Sequence, residues 1–255
     1  MSLIISIHTG EGIVMASDSR TTYNTQEKQT LPDGKGIVIT KNQGVHFTDT
    51  TNKIFLGNNR IGISACGDAS INGKPLAGFI ESFINTAITD KTEICDIPDL
   101  LLDHFCAFSP VPDIIFHVAG YSKKDDIIVQ EVYRIFTYTK KTIKIDTSLQ
   151  GAIWNGETEI LSRLIQTVWF QHKEVEKETG KEIEKYDEWN SPPIPWSFFS
   201  LQDGIDFATY AINTTIDTMY FQQRLKTVGG PIDILIIKPS EAFWVAHKTL
   251  HISAK

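Results

Sequence analysis

The chain has 255 residues, 41% of them hydrophobic, and a formal net charge of −7. That is enough apolar material for a globular core, and the acidic balance argues against a nucleic-acid partner, which favours a basic face. Three cysteines without CxxC spacing and seven histidines without HExxH or other ligand spacing suggest neither a disulfide framework nor a metal site, and no cofactor is expected.

The opening "MSLIISIHTGEGIVMASDSR" begins with structure rather than a leader. Leu3 to Ile7 is a β-rich apolar run, Gly10 and Gly12 bracket a turn, and Ile13 to Ala16 reads as a second strand. No secretory-signal pattern precedes it and no apolar run has membrane-span length, so a cytoplasmic protein without a membrane partner is expected. Residues 23 to 50, rich in Thr, Gln, Lys, Gly and Asn, read as a loop or appended hairpin with weak β character around Gly36 to Thr40.

"KIFLGNNRIGISACGDAS" then gives strands at Lys53 to Leu56 and Ile61 to Cys66 around an Asn58-Asn59 turn. Apolar positions at helical spacing predict a helix from Leu76 to Ala87 and a shorter one from Ile97 to Phe105. "DIIFHVAGY", "IIVQEVYRIFTYT" and "TIKID", separated by charged turns, read as an antiparallel meander. A third helix is expected from Ile160 to Trp169, with "KEVEKETGKEIEKYDEW" extending it as a charged arm until "SPPIPW" breaks it. A fourth runs from Leu201 to Met219, and "GGPIDILIIKP" and "FWVAH" close the chain as strands. Strands and helices come in blocks rather than alternating singly, which predicts an α+β fold with two antiparallel sheets and helices packed outside. No linker or internal repeat interrupts residues 1–255, so one domain is expected.

"GIVMASDSRTT", "KIF", "IGISACGDA" and "RLKTVGGPIDILII" follow one another as in the proteasome β-subunit family of N-terminal nucleophile hydrolases, which the whole chain resembles apart from insertions at about 23–50 and 173–197. The resemblance implies a four-layer αββα sandwich and cleavage of peptide or other amide bonds. It also implies that Ser2 is the nucleophile, exposed as the N-terminus once Met1 is removed, with its own α-amine as base. On the same grounds Lys53 matches the family's active-site lysine and Asp18 the acid that fixes it. The backbone N–H of Ser64 matches the oxyanion donor, and Gly62, Ile63 and Cys66 fall in the substrate pocket. Self-association into rings is implied as well.

The sequence departs from the family in its late motif, where Leu225 and Val228 stand in place of an aspartate and a serine. "LQGA" occupies the place expected for a "GSG"-like segment, so Gln150 or Ser148 would contact the amine. Two functions follow: a serine-type amide hydrolase acting on a peptide or small amide, or a non-catalytic proteasome-fold subunit with an assembly or binding role.

Overall fold

The computed structural model describes residues 2–29, 39–166, 168–176, 181–189 and 191–249. Met1 and the stretch 36–38 of the weakly β segment therefore lie outside the described residues. Leu3–Thr9 (β1) and Gly12–Ser17 (β2) are buried along their whole length, which is why both read as continuous apolar runs rather than alternating ones. Thr21–Gln29 (β3) and Ile39–Thr48 (β4) form an antiparallel hairpin of their own. Ile54–Leu56 (β5) and Gly62–Gly67 (β6) follow, then the two-residue strands Ser70–Ile71 (β7) and Lys74–Pro75 (β8).

Helices Leu76–Ala87 (α1) and Ile97–Phe105 (α2) come next, with Pro98 in the first turn of α2, where its missing N–H leaves no bond unmade. The meander is Ile114–Lys124 (β9), Ile127–Phe136 (β10) and Lys141–Lys144 (β11), followed by Gly151–Gly156 (β12). Glu159–Ile165 (α3) precedes a hairpin of Val168–Val175 (β13) and Glu182–Trp189 (β14). Leu201–Phe221 (α4) starts at a capping box in which Ser200 and Asp203 satisfy each other's backbone N–H groups. Asp233–Ile237 (β15) and Ala242–Ala246 (β16) end the described fold.

One five-stranded antiparallel sheet runs β12-β1-β2-β15-β16, the other β11-β10-β9-β6-β5. Ile13, Met15, Ile54, Ala119, Val132, Ile153, Leu235 and Ile237 form a core between them. α1 and α2 cover the second sheet through Ile80, Phe83, Leu101 and Phe105, while α4 and the start of α3 pack on the first.

These elements do not clearly make the expected four-layer αββα sandwich. The fold is mixed α/β, with four α-helices and five antiparallel sheets among the described residues, three of them only two-stranded. The difference lies mainly at 168–189, where the charged arm is a hairpin and α3 stops after seven residues. Its lysines and glutamates pair across strands, Lys173 to Glu182 at 3.2 Å and Lys185 to Glu174 at 2.5 Å, rather than four apart along a helix. β12, over residues to which the sequence assigns no element, is the neighbour of β1. Among the described residues no helix is long and apolar enough to cross a membrane.

Candidate active site

Asp18 follows β2 directly and is fully buried, so its carboxylate must find donors within the protein. It finds four. Oδ1 accepts from Leu3 N at 2.9 Å and from Lys53 Nζ at 2.7 Å, while Oδ2 accepts from Arg20 N at 3.1 Å and Gly229 N at 3.0 Å. One side chain thus ties the start of β1, the lysine before β5 and the loop before β15.

Lys53 donates a second bond to Arg20 O at 2.6 Å and is 4% exposed. Burial pushes its ammonium below the ordinary lysine value, and the Asp18 charge pulls the other way. Two of its three N–H donors are engaged in these bonds, and Lys53 lines the same cleft as Ser2. Among the described residues no hydrogen bond joins Lys53 Nζ to Ser2 Oγ.

Ser2 is held from the other side by the turn that ends β12. Glu157 N donates to Ser2 O at 2.8 Å, and Leu3 pairs with Gly156 in the β1–β12 ladder. Gly156 has φ +99°, and a Cβ there would lie 1.8 Å from Ser2 O, so this position requires glycine. The buried Glu157 carboxylate accepts from Arg224 Nη2 at 2.6 Å and Thr227 Oγ1 at 2.9 Å, and Arg224 also reaches Glu159 at 3.1 Å. Asn155-Gly156-Glu157 therefore occupies the place against Ser2 that the sequence reading gave to "LQGA". Gln150 and Ser148 lie toward the far end of β1, where Gly151 pairs with His8 and Ser148 Oγ donates to Asp146 Oδ1.

Of the remaining expected residues, only Cys66 reaches the cleft, together with Ala65, Gly67, Asp68 and Thr21. Ser64 is fully buried in the β6 ladder opposite Ile54 and His117, and its hydroxyl has no hydrogen-bond partner. Gly62 faces the inter-sheet core, where a Cβ would strike Met15 and Ile237, and Ile63 packs under α1 and α2. The alternation of strand side chains, with both faces of β6 covered, accounts for where the side chains of Gly62, Ile63 and Ser64 lie, whereas the role expected of Ser64 rests on its main-chain N–H.

No protein-family model matches the chain, and no curated protein matches it. Among solved structures it is similar to the Anbu (Gly-1) mutant from Hyphomicrobium sp. strain MC1, with a TM-score of 0.56, 12% identity, and coverage of 96% of this chain and 88% of that one. It is also similar to Anbu from Yersinia bercovieri, described as an ancestral beta-subunit, with a TM-score of 0.53, 13% identity, and coverage of 95% and 86%. The fold is proteasome-like. The narrower assignment to the proteasome β-subunit family of N-terminal nucleophile hydrolases is corrected by these comparisons, because the neighbours are Anbu proteins and identity this low extends to the fold alone.

Within this proteasome-like fold the late motif divides. Val228 is buried against β1 and α4, whereas Leu225 is 48% exposed. Glu157 and Thr227 bring polarity to the region that Leu225 and Val228 leave apolar. The Cys66 thiol is pushed up to about 12 by burial, so it is not a thiolate nucleophile at neutral pH.

Proposed function

We propose that the chain is a proteasome-like N-terminal nucleophile hydrolase of peptide or other amide bonds, folded as one domain. Ser2 is its nucleophile once Met1 has been removed. What carries this reading is that Ser2 and Lys53 line one cleft while Asp18 binds both Lys53 and Leu3, the residue after the nucleophile.

In the proposed reaction Ser2 Oγ attacks the carbonyl carbon and its proton passes to the Ser2 α-amine, whose pKa of about 7.7–8.0 suits that role near neutrality. The tetrahedral oxyanion collapses, the C–N bond breaks, and the leaving amine takes the proton. Water then attacks the Ser2 ester with the same amine as base, releasing the acid. The Lys53 ammonium favours the neutral amine and the developing negative charge. For the oxyanion donor we assign the main-chain N–H of Ser64.

A second reading, a non-catalytic subunit with an assembly or binding role, draws on the engagement of Lys53 with Asp18 and Arg20 and on the apolar Leu225 and Val228. Intact-mass measurement of untagged protein, followed by exposure to an electrophile directed at vicinal amine and hydroxyl groups, separates the two. The hydrolase reading expects a mass lacking Met1 and one label, lost in Ser2→Ala. Retention of Met1, or labelling that survives Ser2→Ala, overturns it.

A further inference from the structure

Arg134 stands on β10 directly opposite His117 of β9, so both side chains leave the same face of the sheet, toward the other sheet's edge strand β12. The ring of His117 is committed there, to Ser6 Oγ at 3.1 Å and Asn155 Oδ1 at 2.9 Å. Arg134 is not. Its Nε is buried with no hydrogen-bond partner, and among the described residues no carboxylate pairs with its guanidinium. An arginine stays charged in proteins and carries five donors, so a guanidinium whose buried Nε–H lacks a protein acceptor and which pairs with no carboxylate has donors to offer an outside acceptor.

The space beside it is a cavity of about 330 Å³ whose walls include Arg134, Trp154, Asn155, Thr158, Ser162 and Gln166. Asn155 uses its carbonyl oxygen for His117, which leaves its amide N–H groups as donors. Thr158, Ser162 and Gln166 add hydroxyl and amide groups, and no acidic residue lines the wall. The nearest carboxylates in sequence, Glu157 and Glu159, are both taken by Arg224. One cation without a carboxylate partner, in a wall that is otherwise neutral, fits a small anion.

We propose that this cavity is an oxyanion site that takes a carboxylate or phosphate group, with Arg134 as its charged anchor. Asn155 lies one residue before the Gly156-Glu157 turn that holds Ser2, so the site flanks the cleft. Its existence does not depend on acylation of Ser2.

The test is isothermal titration of the full chain with inorganic phosphate and, separately, with acetate, in chloride buffer. Saturable binding of at least one is expected, and which one binds tells phosphate from carboxylate recognition. Arg134→Met should weaken it at least about tenfold, in line with loss of charge-assisted hydrogen bonds. Ser162→Ala, a smaller change on α3, should weaken it severalfold with an unchanged melting temperature. Absence of saturable binding for both anions, or affinities unchanged in both variants, overturns the proposal.

Discussion

Lys53 Nζ lies 2.7 Å from Asp18 Oδ1, with the two side chains 4% and 0% exposed. A pair this deep is costly to break from one side, because the survivor keeps its desolvation cost and loses its partner, typically about 3–5 kcal/mol. Asp18→Asn should show the larger loss, since it strands an ammonium and weakens the acceptor of Leu3 N, Arg20 N and Gly229 N. Urea denaturation of both Asp18→Asn and Lys53→Ala checks this, and a variant with an unchanged midpoint would contradict the buried pair.

Gly156→Ala tests the other support of Ser2. The left-handed backbone there disfavours any Cβ, and the added carbon would overlap the Ser2 carbonyl oxygen, so the β1–β12 ladder must open at its end. A loss of about 2 kcal/mol or more is expected. Labelling of Ser2 should fall even at temperatures where the variant remains folded, which a stability effect alone would not produce.

Burial lowers the His117 pKa from its ordinary 6.5 to about 3, against the hydrogen bond that the ring donates to Asn155, which favours the charged form. The folded ring stays neutral, with Nε2–H donating to Asn155 Oδ1 and Nδ1 accepting from Ser6. Between about pH 6.5 and 3 the unfolded chain therefore binds more protons, and stability must fall as pH falls through that window. The slope attributable to this residue reaches about 1.4 kcal/mol per pH unit. His117→Met, which cannot take the proton, should flatten that limb in acid denaturation, even though it starts less stable through the orphaned Ser6 hydroxyl.

Much of this architecture was legible because it rests on local pattern. The helices at 76–87, 97–105 and 201–221 carry a helical periodicity, and the opening hairpin and the meander are β-rich runs bounded by turn residues, signals that survive without tertiary information. The hairpin at 168–189 misled because lysine and glutamate favour helices at exposed positions, and only cross-strand pairing reveals the alternative. Asp18 and Lys53 were singled out through motif register, and the fold pairs them. Glu157 was not, because its significance comes from β12 lying beside β1, a pairing between residues about 150 apart. The available signal was "IWNGE", an apolar run ending in an Asn-Gly turn and followed by an acid, which marks a strand end but not its neighbour.

Glu157 offers the sharpest test of how the chain start is held. Its main chain grips Ser2 O, while its carboxylate joins Arg224 and Thr227 of the late loop. Glu157→Gln keeps an acceptor for Thr227 and the backbone bond but gives up the charge, and Arg224 retains Glu159 as a partner at 3.1 Å. Glu157→Ala leaves Thr227 and one arm of Arg224 without an acceptor, at about 1–3 kcal/mol for the buried groups concerned. If the carboxylate fixes the turn that positions Ser2, the two variants should rank the same way in acylation rate, wild type above Glu157→Gln above Glu157→Ala. The last step should approach a hundredfold, since ångström-scale misplacement of reacting groups costs about that much. Equal labelling rates in the three proteins, measured well below their melting temperatures, would show that Glu157 holds the late loop and not the nucleophile.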